Sequence, residues 1–138
     1  MEFRKGNVEV RIKMQNNNPK ILSFRDLIVW RESHKLVLMV YIVTKNFPKE
    51  EIFGITSQMR RSSVSITSNI AEGFARRSKK EKLQFYSVAR GSLVELESQL
   101  LVARDVEYLS IIDFDNIYKQ IEISHKLLNS FINKTNDL

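Results

Sequence analysis

Tyr86, Ala89, Leu93, Leu96, Leu100 and Ala103 recur at intervals of three and four, with polar and charged residues between them. An α-helix turns once every 3.6 residues, so this spacing lines one face with apolar side chains and predicts a helix packed along a neighbour. Ser78, followed three residues later by Glu81, has the pattern of a capping box and starts that helix near Ser78, with its end near Asp105. The same intervals return in Phe114, Ile117, Ile121, Ser124, Leu128 and Phe131. They predict a last helix over 113–134, with Asp113 or Ser110 as its N-cap. A third copy runs through Leu27, Trp30, His34, Val37, Tyr41 and Thr44, preceded by Ser23 and Asp26 as a capping pair. It ends ahead of Phe47-Pro48, because the residue before proline is pushed out of the helical region.

A further helix is expected over 56–77, with Met59, Ser63, Ile66, Ile70 and Phe74 facing inward. It is unusually rich in small polar residues (Ser57, Ser62, Ser63, Ser65, Thr67, Ser68), which are mediocre helix formers but let another helix come close. Pro48, Glu50 and Glu51 ahead of it suit a short helical turn. Leu36–Val43, rich in β-branched residues, could also form a buried strand; the stripe through Leu27 and Trp30 with no intervening turn signal favours helix. A helix apolar all round needs cover on more than one side, from the core or from another subunit. Short connections then predict an all-α, antiparallel up-down-up-down four-helix bundle over 23–134 with a tail at 135–138. Residues 1–22 stand apart. Val8, Val10, Ile12 and Met14 alternate with charged residues and Asn16-Asn17-Asn18-Pro19 breaks the chain, so the expectation is a flexible N-terminal arm or one that docks on another subunit.

Composition fits one folded domain. The chain has 138 residues, 43% hydrophobic and 28% charged, with four Gly, two Pro and no Cys. Disulfides and thiolate metal sites are thereby excluded, in keeping with a reducing, cytoplasmic setting. The longest apolar run, Leu36–Val43, falls far short of the roughly twenty residues a membrane span needs. Charge is uneven: Arg60–Arg90 holds eight basic side chains against Glu72 and Glu81, whereas from residue 91 onward eight acidic outnumber four basic. Arg76, Arg77, Lys79, Lys80 and Lys82 crowd one turn, with Arg60, Arg61 and Arg90 farther along. Two cations would suffice to cap a helix C-terminus; five in seven residues suit contact with phosphates.

Catalytic parts are missing. Glu122 and His125 form one Glu-x-x-His pair, where a di-metal bundle site needs two such pairs and two more glutamates. No thiol, serine elbow or Gly-rich phosphate loop is present. A binding protein rather than an enzyme is expected, with no cofactor and no metal. Asn69, Glu72 and Gly73 share one turn, and Gly91, Ser92 and Glu95 another. Glycine inside a helix costs about 1 kcal/mol relative to alanine, so both clusters suggest close backbone approach, with a buried hydrogen-bond network or a ligand pocket between them.

Ser65-Ile66-Thr67-Ser68-Asn69-Ile70-Ala71-Glu72-Gly73 resembles the signature of the bacterial four-helix-bundle proteins encoded in 23S ribosomal RNA intervening sequences. Phe24-Arg25-Asp26-Leu27 with Trp30, Phe47-Pro48 with Glu51 and Gly54, Gln58 with Arg60-Arg61, and Gly91-Ser92-Leu93 with Glu95 and Gln99-Leu100 match in order. The resemblance spans residues 23–132 and implies a homopentameric bundle. It also implies kinship with the accessory variability proteins of diversity-generating retroelements, which bind nucleic acid and a reverse transcriptase through basic surfaces. Asn69, Glu72 and Gly73 match signature positions without a catalytic role, and Arg60 and Arg61 match a basic pair. The resulting expectation is an oligomeric accessory protein that binds RNA or DNA; the alternative is a scaffold for a protein partner.

Overall fold

The apolar stripe of the third helix is buried along its whole length: Tyr86, Ala89, Leu93, Leu96, Leu100 and Ala103 are all essentially inaccessible. They form the spine of a four-helix bundle, seen in a computed structural model that describes residues 20–138. Its helices are α1 (Ile28–Thr44), α2 (Ile55–Ala75), α3 (Lys79–Asp105) and α4 (Ile111–Asn136), with short 3-10 turns at Phe24–Asp26 and Lys49–Glu51. Among the described residues there is no strand, and no helix is long and apolar enough to cross a membrane. The alternating stretch from Val8 to Met14 lies outside the described residues.

Each helix packs against its chain neighbours and α4 closes the ring on α1, so Leu36–Val43 is helical and the topology is up-down-up-down. Contacts run in opposite directions along α2–α3, where Arg61 meets Glu95 while Ser65 meets Ser92, and along α3–α4, where Lys79 meets Leu138 while Arg90 meets Asn129. The α2–α3 pair is much the most intimate.

Three local expectations change. The buried face of α1 is Val29, Ser33, Leu36, Val37, Val40 and Thr44, turned from the predicted stripe. Trp30 and His34 are only half-buried and Tyr41 is exposed. Ser33, small and wholly buried, lets α4 approach, and its hydroxyl donates to Ser124 Oγ at 3.4 Å. Ser23 and Asp26 do form a capping box, but on the 3-10 turn; the chain then passes through Leu27 in an extended conformation before α1 begins. Ser78 accepts from Glu81 N–H and Ser110, not Asp113, caps α4. That last helix runs to Asn136, so Thr135 in the predicted tail is buried and donates to Phe131 O.

The serines of α2 resolve a cost that burial would otherwise impose. An unpaired buried hydroxyl is expensive. Ser62, Ser63 and Thr67 each donate to the carbonyl three residues back, at 3.2, 2.9 and 3.0 Å. Ser63 and Thr67 are thus satisfied within their own helix, Ser62 shares its one hydroxyl proton with Gln99 Oε1 on α3, and all three present little bulk to neighbours. Gly73 completes the approach: a Cβ there would stand 2.5 Å from Tyr86 Cε1 and 2.9 Å from Phe85 Cβ. Tyr86 is held from the other side by Phe131, ring centroids 4.8 Å apart. Burial pushes the Tyr86 hydroxyl up to about 12. Gly91 is different, since nothing lies within 4 Å of its missing Cβ. The expected close approach at Gly91 is absent because it sits on the exposed side of α3.

The two glycines therefore respond oppositely to the same change. Gly73→Ala overpacks the seam and is expected to cost about 1–3 kcal/mol. Gly91→Ala, in open space within a helix, is expected to add about 0.5–1 kcal/mol. Urea denaturation checks both; shifts of the same sign would contradict this packing.

Candidate nucleic-acid interface

Antiparallel packing brings the end of α2 and the start of α3 to one end of the bundle, joined by the tight connection 76–78. Arg76, Arg77, Lys79 and Lys80 project there, all exposed. The end of α4 joins them, because Lys79 Nζ donates to Leu138 O at 3.1 Å. The 3-10 turn before α1 also packs on α2, so the fold adds Arg25 and Lys134 to this end. Sequence reading missed both; only the topology could have signalled them. The acidic groups nearby are Asp26, Glu72, Glu81 and Asp137. Asp26 is occupied, accepting from the N–H groups of Leu22 and Ser23 and pairing with Arg31 at 3.8 Å.

The cations divide by what they touch. Lys82 Nζ donates to Phe74 O at 2.8 Å and to Gly73 O at 3.4 Å, closing the last turn of α2 and favouring its negative dipole end. Arg76 lies over the Phe85 ring at 4.8 Å. Arg90 reaches Asn129 Oδ1 at 3.3 Å on α4, away from the end. Arg60 donates to Thr44 Oγ1 at 3.0 Å and covers the Tyr41 ring at 4.9 Å, so it ties α2 to α1. Arg61 makes a two-oxygen contact with Glu95 at 2.5 and 2.6 Å and takes Gln58 as a further acceptor. Both partners of that pair are substantially exposed, which limits its worth to at most about 1 kcal/mol. Arg77 and Lys80 have no side-chain partner among the described residues. None of Arg76, Arg77, Lys79, Lys80, Lys82 and Arg90 is paired with a carboxylate there.

The signature residues are mostly spent between α2 and α3. Asn69 Nδ2 donates to Ser65 O at 2.7 Å and to Ser65 Oγ at 3.1 Å; Ser65 and Ser92 hydroxyls meet at 2.8 Å; Ser62 donates to Gln99 Oε1 at 2.7 Å. With Arg61–Glu95 this is a ladder of polar contacts along one seam, half-buried rather than deep. Glu72 takes no part, being exposed on the outer side. Glu122 is exposed and His125 half-buried, and among the described residues no three His, Cys, Asp or Glu side chains gather as metal ligands.

The opposite end differs in kind. Glu50, Glu51, Asp105, Glu107, Asp113 and Asp115 lie there against Lys45, Lys49 and Arg104. Phe53 is 92% exposed, and Ile111 and Ile112 are also open to water.

A four-helix bundle is the architecture the nine-residue signature implied. The chain belongs to the 23S rRNA-intervening sequence protein family, whose model matches residues 25–130. A solved structure of a protein with unknown function from the S23 ribosomal protein family of Bacteroides thetaiotaomicron is similar in fold, with a TM-score of 0.71 and 24% identity. The match covers 76% of this chain and 98% of that one. No curated protein matches the chain.

Lys82 and Lys80, two residues apart, separate structural from free cations. Lys82→Met is expected to lower stability by about 0.5–1 kcal/mol through loss of the α2 cap. Lys80→Met should stay within about 0.5 kcal/mol of the parent in the same denaturation experiment.

Proposed function

We propose that this protein is a non-enzymatic, oligomeric accessory factor of the bacterial cytoplasm that binds RNA or DNA at the end carrying Arg76, Arg77, Lys79 and Lys80. The observation that carries this reading is that these cations face solvent with no carboxylate partner among the described residues, while Asp26 at the same end is engaged with backbone N–H groups and Arg31. Unpaired cations clustered on one face release counterions from a phosphate backbone and bind with little regard to sequence. Arg60, Arg61, Lys82 and Arg90 support that surface by holding helices in place. Exposure of Tyr41 and Ile42 on the apolar α1 segment supports self-association, the pentamer being the form the resemblance implies. A scaffold for a protein partner, such as a retroelement's reverse transcriptase, is the second reading, favoured by the exposed Phe53, Ile111 and Ile112 at the far end.

Binding to a short RNA or DNA is expected to weaken steeply with salt. Replacing Arg77 and Lys80 by alanine should reduce the log–log salt slope by about 1.4–1.8, the share of two phosphate contacts. Binding that ignores salt, or is absent at low ionic strength, would contradict the reading and favour the scaffold. Light scattering is expected to give a mass several times the 16.2 kDa of one chain; a monomer would remove the oligomer from the proposal.

A further inference from the structure

On the reading of the basic end as a polyanion site, we propose that its ligand is double-helical nucleic acid. The end holds phosphates of both strands and stacks no base. Proteins that hold single strands draw much of their affinity from open aromatic faces on which successive bases lie. Here the rings are already in use. Toward this end lie Phe24, Trp30, Phe74, Phe85, Tyr86 and Phe131, and none of them is exposed. Arg76 covers the Phe85 ring at 4.8 Å, and Lys82 Nζ stands 5.4 Å from the centre of Phe74. Trp30 stacks on His34, with centroids 4.8 Å apart and planes 11° from parallel, and Phe24 meets it edge-on at 5.1 Å. Tyr86 and Phe131 pack on each other at 4.8 Å. A base that stacked here would have to displace a cation or break a ring pair.

The cations form a patch rather than a line. Arg25 stands in the turn that packs on α1 and α2, and Arg76 and Arg77 follow α2. Lys79 and Lys80 open α3, and Lys134 lies in the last turn of α4. All six are exposed. Packed helices have axes about 8–10 Å apart, so neighbouring to opposite corners of the bundle end are separated by about 8–14 Å. A single strand offers one row of phosphates. A duplex offers two, facing each other across grooves about 6 and 12 Å wide. Two rows also raise the charge along the axis to one per about 1.7 Å, which increases the counterion release for each cation engaged. The end consists of helix termini and the short link 76–78, and among the described residues no longer loop stands there to enter a groove. Contact therefore follows the shape of the backbones and not the order of the bases.

The full chain is tested against four probes. They are an RNA of about 16 nucleotides that cannot pair with itself, the same strand annealed to its complement (roughly one and a half turns), and the DNA versions of both. Anisotropy of an end label over a salt series should show a duplex bound about tenfold or more tightly than its single strand at low salt. Emission from Trp30, the one tryptophan of the chain and one that a stacked base would quench, should stay unchanged with every probe. Arg25→Ala combined with Lys134→Ala, both exposed and outside the α2–α3 link, should lower the duplex salt slope by about 1.8. The single-strand slope should fall by less than about 0.7, the share of one contact.

Tight binding of only the RNA duplex or only the DNA duplex supports the proposal and fixes which of the two is the ligand. A single strand bound as tightly as its duplex would overturn it, as would quenching of Trp30 by single strands or equal slope changes in the two forms. Those results leave the polyanion reading standing. Absence of salt-dependent binding to all four probes would overturn that reading and the proposal with it.

Discussion

Everything at the basic end depends on how closely α2 and α3 approach one another. The constraint is steric: at Gly73 there is room for a hydrogen and not for a methyl, because Tyr86 and Phe85 occupy the space. Farther along the seam, Ser62, Ser65, Ser92 and Asn69 provide small polar side chains that bond across it or back to their own helix. A seam of this kind gains less from apolar area than a leucine seam would. It gains register instead, since each polar group has one partner that suits it and slippage would leave several unsatisfied. Tyr86, pinned between Gly73 and Phe131, carries that register on to α4.

Close approach also dictates what the connection must be. Two helices in contact to their ends can be joined only by a few residues, and 76–78 is that short link. The link crowds basic residues around a helix C-terminus and the following N-terminus. Lys82 folds back onto the α2 carbonyls and Arg76 lies on Phe85, so part of the positive charge is used to hold the turn. The remainder faces water. Meanwhile Glu50, Glu51, Asp105, Glu107, Asp113 and Asp115 collect at the other end with Phe53, Ile111 and Ile112, giving a bundle whose two ends differ in charge and in exposed apolar surface.

The bundle was largely legible in the sequence because heptad-like spacing reports directly on which side chains are buried. α3 follows its stripe residue by residue, and α4 does so from Ile117 to Leu128, whereas Phe114 and Phe131 at the stripe's ends are only part-buried and Ile132 is buried instead. α1 does not follow its own, and the reason is physical: a helix apolar nearly all round carries no single preferred stripe, so small buried Ser33 and its partner Ser124 decide its rotation rather than Trp30 or Tyr41. Gly73 and Gly91 look alike in sequence, yet only the facing aromatic residues distinguish a required glycine from a tolerated one. In the same way the basic cluster was visible, while its division into structural and free cations was not. Lys82, Arg60 and Arg61 find their acceptors on other helices or on backbone carbonyls, and such partners cannot be read from local spacing.

The central claim is that the α2–α3 seam presents a free basic end to a polyanion. Residue-resolved amide shift mapping with a short RNA at low salt tests it most directly. The account predicts shifts gathered over residues 74–82, with smaller ones near Arg25 and Lys134, and a quiet acidic end. Shifts centred on residues 50–53 and 105–115, with the 76–80 turn unmoved, would contradict it.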